Sequence, residues 1–212
     1  MSAWQILQNG GPLMWPIVIC SLVGLALFIE RVFYFSSVST DVYALKSKVF
    51  DLLKQNRLKD AIVLCEQNPS VIAKMMKAGI AKFGSSRHEI KEALESAGSF
   101  EIALLEKNLP PLLMITHLVP LLGLLGTVTG LAVSFYSIQV RSAAMNPVTP
   151  GDIAGGMWQA LLTTIFGLIV AIPALLAYNY CVGRVGSFVL DMERTATEIN
   201  ELLVQLSQSN SQ

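Results

Sequence analysis

Three stretches of this chain carry no aspartate, glutamate, lysine or arginine, and each is long enough to cross a lipid bilayer. The first precedes Glu30 and has its apolar core at residues 13–29, the second covers residues 108–140, and the third covers residues 153–183. A membrane-spanning helix needs about 20 consecutive apolar residues. Only 14% of the 212 residues are charged, whereas soluble domains carry about 25%. The sequence therefore predicts an all-α integral membrane protein with three transmembrane helices.

The basic residues predict how the chain crosses the membrane. Of its 15 lysines and arginines, 11 lie between residues 36 and 108, and none precedes the first span. The positive-inside rule therefore places this segment and the tail in the cytoplasm. The predicted order is an outer N-terminal segment at 1–12, transmembrane helix 1 at 13–35, a helical cytoplasmic loop at 36–107, transmembrane helix 2 at 108–140, an outer loop at 141–152, transmembrane helix 3 at 153–183, and a cytoplasmic helix and tail at 184–212.

The first span could be mistaken for a cleaved signal peptide. No basic residue precedes it, it runs directly into Glu30 and Arg31, and no small-x-small cleavage site follows. We therefore interpret it as a retained anchor. Aromatic residues prefer membrane interfaces, which predicts Trp4 and Trp15 at one interface and Tyr34 at the other.

The second and third spans each carry a face of small residues. On a helix, one face of the second span collects Gly123, Gly126, Thr127, Gly130, Ser134 and Ser137. The corresponding face of the third span collects Ala160, Thr164, Gly167, Ala171 and Ala174, with Gln159 and Thr163 beside it. Small faces let helix backbones approach closely in lipid. Tight packing of these two helices explains the glycines, whereas hydroxyl groups at mid-span, on Thr127 and Thr164, also suit a path for water, an ion or a partner's polar group.

Other polar and proline residues in the spans allow several interpretations. His117 suits either a proton shuttle or a neutral, hydrogen-bonded imidazole near the cytoplasmic end. Glu30 and Arg31 are predicted to form an interfacial charge pair that ends the first helix. Pro120 and Pro173 each remove a backbone hydrogen bond, so both are predicted to kink their helices.

The middle of every predicted span lacks an acidic or basic side chain. A proton relay in lipid normally needs an ionisable group. If the chain conducts ions, the titrating residue must therefore come from another protein. Cys20, Cys65 and Cys181 form no CxxC pair and are interpreted as small apolar residues. We expect no metal, no cofactor and no enzymatic activity, since His117 has no catalytic partner in its span.

The cytoplasmic segments show helical spacing of apolar residues. Four predicted helices are separated by breaks that include Asn68-Pro69 and residues 84–86: DVYALKSKVFDLLKQN, LKDAIVLCEQ, SVIAKMMKAGIAKF and RHEIKEALESAGSFEIALLEKN. The tail has a heptad-like stripe that would pack on its own chain or on neighbouring subunits: Val189, Met192, Ala196, Ile199, Leu203 and Leu206.

Three motifs carry a family likeness. GGPLMWPIVICSLVGLALFIER at 10–31, PLLGLLGTVTG at 120–130 and ALLTTIFGLIVAIPALLAYN at 160–179 resemble the MotA/TolQ/ExbB proton-channel family, and most closely its short ExbB-type members. The resemblance covers nearly the whole chain.

This resemblance implies a ring, expected to be a homo-pentamer, in the bacterial inner membrane with its N-terminus in the periplasm. Helices 2 and 3 would line a pore that holds a single-span partner of the ExbD or TolR type, whose membrane aspartate carries protons. Thr127 and Thr164 match the pore threonines, and the small face would bear on the partner. The work would pass to a TonB- or TolA-type protein for outer-membrane transport. Alternatives are a TolQ-like role in envelope integrity and a sodium-driven stator.

One position departs from the family pattern. Many ExbB and TolQ members have glutamate where this chain has Gln159, in QALLTT. An amide cannot hold a proton as a carboxylate does. The departure weakens a role for Gln159 in proton transfer and keeps the sodium alternative open.

Overall fold

The computed structural model describes residues 10–39, 42–145, 147 and 149–209. All regular structure in this part of the chain is helical, which confirms the predicted all-α class. The helices are α1 (Met14–Val38), α2 (Val42–Lys54), α3 (Leu58–Glu66), α4 (Val71–Ile80), α5 (Arg87–Glu106), α6 (Leu109–Ala143) and α7 (Pro150–Ser209). Among the described residues, three segments are long and apolar enough to cross a membrane, and they include α1, α6 and most of α7. Trp4 lies outside the described residues, so its interfacial position stays a prediction.

The chain divides into two compact units. The first, here called the membrane unit, comprises Met1–Ile29 and Leu109–Tyr180; the second, here called the helical unit, comprises Glu30–Asn108 and Cys181–Gln212. The predicted third span at 153–183 and the predicted helix after residue 183 belong to one helix, α7, of 60 residues.

In the membrane unit, apolar side chains are buried between the helices and also exposed around them. Ile17, Ile115 and Val119 form the buried cluster. Many large apolar side chains point outward from α1, α6 and α7, including Leu22, Leu25, Leu121, Leu124, Leu161 and Leu176. A soluble monomer rarely exposes so large an apolar surface to water, so this unit requires lipid or other chains around it.

In the helical unit, two serine hydroxyl groups cap the starts of short helices, and a glycine turn separates those helices. The Ser70 hydroxyl accepts the Ala73 N–H at 3.1 Å at the start of α4, and the Ser86 hydroxyl accepts the Glu89 N–H at 3.3 Å at the start of α5. Between them, Gly84 has a φ of 86°, which favours glycine. These positions coincide with the breaks that the sequence indicated.

The C-terminal part of α7 packs on its own chain. Met192, Ile199 and Leu203 of the predicted stripe are buried, while Val189, Ala196 and Leu206 are only half-buried. Instead, the buried line runs through Cys181, Val185, Phe188, Met192 and Thr195. The Phe188 ring lies 6.1 Å from that of Phe35. Of the two predicted alternatives for the stripe, packing on its own chain is the one observed, since its buried face is occupied within the helical unit.

Cys65 is expected to resist alkylation. Its side chain is buried, and this burial raises the pKa of the thiol to about 11. Relative to an ordinary thiol, the reactive thiolate at pH 8 falls about 100-fold. Mass spectrometry after brief maleimide treatment near neutral pH should find Cys65 unmodified. The control is Val63→Cys, at an exposed position on the same helix, which should react rapidly; equal rates at both positions would contradict the buried placement.

Candidate functional site between the second and third membrane helices

Glycine residues bring the backbones of α6 and α7 into contact. A Cβ atom added to Gly123 would lie 3.2 Å from the Thr163 carbonyl oxygen, and one added to Gly167 would lie 3.1 Å from the Val119 carbonyl oxygen. Both distances are shorter than ordinary contacts and both end on backbone atoms. A larger residue at either glycine would have to push the helices apart.

The close contact continues toward the loop that joins the two helices. A Cβ atom on Gly130 would lie 2.8 Å from the Gly156 carbonyl oxygen. Ser134 is buried, and its hydroxyl donates to the Gly130 carbonyl at 3.1 Å and across the interface to the Ile153 carbonyl at 3.3 Å. Gly156 was absent from the predicted face, although it lies four residues before Ala160, so the same spacing argument could have found it.

Both threonines of α7 contact α6 in the structure. The sequence placed Thr164 on the packed face and Thr163 beside it. In the structure, Thr163 is only 1% exposed and fills the space left by Gly126, where an added Cβ atom would overlap the Thr163 Oγ1. Thr163 therefore lies inside the interface, which argues against a pore-lining position within this chain. Thr163 can enter the interface because Gly126 on α6 has no side chain to exclude it.

Thr164 lies at the edge of the same interface. Its side chain is half-buried, and its hydroxyl donates to the Gly123 carbonyl at 3.0 Å. This bond joins α7 to α6 and leaves the oxygen lone pairs available to accept another hydrogen bond. Thr164 therefore combines an interhelical contact with partial access.

Thr127 is satisfied within its own helix. Its hydroxyl donates to the Leu124 carbonyl at 2.6 Å, and the Ser137 hydroxyl bonds similarly to Val133. Such bonds back to the preceding turn are common in membrane helices and do not require a partner. The half-buried Thr127 hydroxyl can still accept a hydrogen bond, and its position on an ion path stays a prediction.

Gln159 lies near the start of α1. A Cβ atom on Gly11 would overlap the Gln159 Nε2, and Gly11 has a φ of 75°, which favours glycine there. Thr164, by contrast, contacts α6. Gln159 and Thr164 are therefore held on different sides of α7, and the structure does not bring them together.

The remaining predicted residues of the spans differ in burial and lie in continuous helices. Ala160 and Ala171 are buried, while Ala174 is half-buried. The helices are continuous through Pro120 and Pro173, and kinks at these residues stay predictions. The His117 side chain is exposed on the structure's surface.

Glu30 and Arg31 form the predicted charge pair and also belong to a hydrogen-bond network that reaches α5 and Asn108. Arg31 is only 3% exposed and donates to both Glu30 oxygens, at 2.6 and 2.5 Å. It also donates to the carbonyls of Leu104 and Leu105 at 3.1 and 3.2 Å, while Asn108 donates to Glu30 at 2.9 Å. Arg31 thus satisfies carbonyl groups at the end of α5, a role that its sequence neighbours could not reveal.

Arg31→Lys is expected to lower the free energy of unfolding by about 1–3 kcal/mol. An ammonium group cannot reproduce two parallel bonds to a carboxylate and two more to carbonyls, and buried carbonyls would lose their donors. Thermal or denaturant unfolding in detergent, followed by circular dichroism, measures the change. As a control, Arg57→Lys alters an exposed pair with Asp60 and should change the free energy by less than about 0.5 kcal/mol. Equal effects would contradict the buried role of Arg31.

A model of the MotA/TolQ/ExbB proton channel family matches residues 67–194, which is more than half of the chain and includes all of α6. The chain belongs to this family. A protein of Synechocystis that carries the name of an ExbB-like biopolymer transport protein is 34% identical over 171 residues, which make up 80% of each chain.

Other relatives of this MotA/TolQ/ExbB family member carry either ExbB or TolQ names. The biopolymer transport protein exbB1 of Vibrio cholerae is 29% identical over 180 residues, or 82% of this chain and 76% of its own. The Tol-Pal system protein TolQ of Pseudomonas aeruginosa is 32% identical over 121 residues, or 52% of this chain and 51% of its own. Family membership and the three long apolar helices together identify a multi-pass membrane protein.

Proposed function

We propose that this chain is an ExbB-like ring subunit of a proton channel in the bacterial inner membrane. Five copies would surround a single-span partner of the ExbD or TolR type, and proton flow would energise a TonB- or TolA-type protein for outer-membrane transport. The N-terminus would lie in the periplasm and the C-terminus in the cytoplasm, as the distribution of basic residues favours. The chain itself would act without enzymatic activity, metal or cofactor.

The observation that carries this proposal is a hydroxyl edge on a helix pair whose mid-span lacks acidic and basic side chains. Thr164 keeps accepting capacity at the edge of the α6–α7 interface, and Thr127 is likewise half-buried. Neither hydroxyl titrates, and the spans at 108–140 and 153–183 contain no acidic or basic side chain except the imidazole of His117. A proton could be relayed at this edge only if a partner supplied the carrier, as an aspartate on a single-span helix would.

The packing of α6 on α7 supports one flank of the helix pair as the surface for the partner. Gly123, Gly126 and Gly130 are occupied by α7 of the same chain, so their role is to join the two helices. The partner would therefore contact the flank that carries Thr127 and Thr164. Each charge that crosses a potential of about 100 mV releases about 2.3 kcal/mol, so several protons would be needed for each mechanical event.

A second candidate is a TolQ-like role in envelope integrity, favoured by the match to the Pseudomonas TolQ. Both roles use the same ring and partner class, and they differ in the protein that receives the work. A sodium-driven form is favoured only by Gln159, whose amide can coordinate a cation but cannot carry a proton.

Reconstitution into proteoliposomes tests the proposal. The chain alone should show no proton flux above that of empty vesicles. The chain with a single-span partner that has a membrane aspartate should conduct, and partner Asp→Asn should abolish the flux. Replacing the proton gradient by a sodium gradient tests the alternative ion. Equal proton flux with and without the partner would show that the carrier lies in this chain and would overturn the proposal.

A further inference from the structure

A charged cleft of about 620 Å³ lies within the helical unit, between α5 and the last part of α7. Arg87, Lys91 and Glu95 line it from α5, and Glu193, Asn200 and Glu201 line it from α7. The three carboxylates exceed the two cations, so the cleft carries one net negative charge. It shares no lining residue with the α6–α7 site described above.

The side chain of Asn200 indicates that the cleft binds a hydrogen-bond donor from outside the described part of the chain. Its side chain is 7% exposed, and its Oδ1 is the buried side-chain oxygen without a hydrogen-bond partner among the described residues. Leaving a buried acceptor unsatisfied normally destabilises a protein. Because a carbonyl oxygen can only accept, the missing group is an N–H or O–H donor.

The charges around Asn200 select a cationic donor. Lys91 is paired with Glu95 at 3.5 Å, whereas Arg87, Glu193 and Glu201 form no ion pair among the described residues. The unpaired groups therefore still carry one net negative charge. Two unpaired carboxylates on the α7 wall, together with an unsatisfied amide oxygen, suit an ammonium group, which has three donors and a positive charge.

Lysines on this same chain offer such groups. The chain has nine lysines, all between residues 46 and 107, so they share the helical unit with the cleft. Four of them pair with glutamates within the chain. The other five form no ion pair within the described part of the chain: Lys48, Lys54, Lys59, Lys82 and Lys107.

We propose that the charged cleft receives a lysine side chain from a neighbouring copy of this chain. The proposal rests on the ring of the proposed function, because a cleft on one copy and a lysine on the next form a head-to-tail contact that closes only in a cyclic assembly. The ammonium group lies between the carboxylates of Glu193 and Glu201 and donates to Asn200 Oδ1 after the amide turns toward it.

Zero-length carbodiimide cross-linking in membranes tests the contact directly. The full chain is expressed with its single-span partner as an equal mixture of ¹⁴N- and ¹⁵N-labelled copies, and cross-linked peptides are analysed by mass spectrometry. The expected result is a mixed-isotope link from Glu193 or Glu201 to a lysine. Links only within one copy, links only to the partner, or no link at these glutamates would each overturn the proposal.

Variants at Asn200 separate this contact from a purely structural role. Asn200→Leu should weaken association between copies about tenfold, the size of one lost charge-assisted hydrogen bond, without lowering the thermal stability of the subunit, since Oδ1 has no internal partner. Asn200→Asp keeps the acceptor, adds a negative charge and should preserve or strengthen association. Weaker association with Asn200→Asp would overturn the cationic ligand.

Charge reversal supplies a matched control that is independent of ion flow. Glu193→Lys and Glu201→Lys should reduce the mixed-isotope links, whereas Glu92→Lys, on an exposed position of α5 outside the cleft, should not. If sedimentation shows an oligomer and the cleft glutamates form no links between copies, only this inference fails. If the protein sediments as a monomer, the ring proposal fails as well.

Discussion

Replacing Thr164 by valine is expected to abolish ion-driven function while the complex still assembles. Valine has nearly the same shape as threonine but lacks the hydroxyl group, so it removes the bond to the Gly123 carbonyl and the accepting site at the edge of the helix pair. An interhelical hydrogen bond in a membrane protein contributes about 0.6 kcal/mol on average. The glycine contacts remain, and this loss is too small to separate the helices.

The measurement is proton flux in proteoliposomes that contain the chain and its single-span partner, with complex assembly followed by co-purification. Thr164→Ser keeps the hydroxyl and should retain function. Thr129→Val removes a hydroxyl that bonds only within its own helix, to the Leu125 and Gly126 carbonyls, and should have little effect. Full flux with Thr164→Val in an intact complex would show that this hydroxyl serves packing, and attention would move to Thr127 and Gln159.

The second large effect is expected at Gly156, where alanine should lower the free energy of unfolding by about 1–3 kcal/mol, as overpacking does in well-packed interiors. The added Cβ would lie 2.7 Å from the Gly130 carbonyl oxygen. Backbone atoms cannot rotate away as a side chain can, so α6 and α7 would have to separate. Unfolding in detergent, measured by circular dichroism, gives the change.

The preceding residue provides the control. A Cβ atom added to Gly155 would meet nothing within 4 Å, so Gly155→Ala should leave the stability unchanged or raise it by up to about 1 kcal/mol through helix propensity. The same residue type changes in the same way one position apart, and only the contact with α6 differs. Equal stability of the two variants would contradict the close approach of the helices.

These variants bear on why an apolar membrane segment contains so many glycines. In lipid no hydrophobic force drives helices together, so contact depends on close packing and on a few hydrogen bonds. Gly123, Gly130 and Gly167 supply the packing, while Ser134 and Thr164 supply hydrogen bonds that cross the interface. The ring proposed for this chain would thus be built on a helix pair that is joined by close contacts within each subunit.

Charge and apolar length in the sequence were enough to predict the all-helical class and the three membrane helices. Both properties are local: a segment without charges that is long enough to span lipid must form its hydrogen bonds internally, which only a helix can do within one segment. The motifs at 120–130 and 160–179 likewise carried enough specific residues to indicate the family. The spacing of small residues also indicated which faces of the two helices would meet.

Only the tertiary structure decided which neighbouring residue enters each contact. Thr163 rather than Thr164 fills the space at Gly126, because helix rotation is set by the shape of the opposing surface and not by the helix's own periodicity. Arg31 reaches carbonyls more than 70 residues later in the chain, and Gln159 lies against Gly11. These pairings join residues that are distant in the sequence, so they are determined by the packing of whole helices.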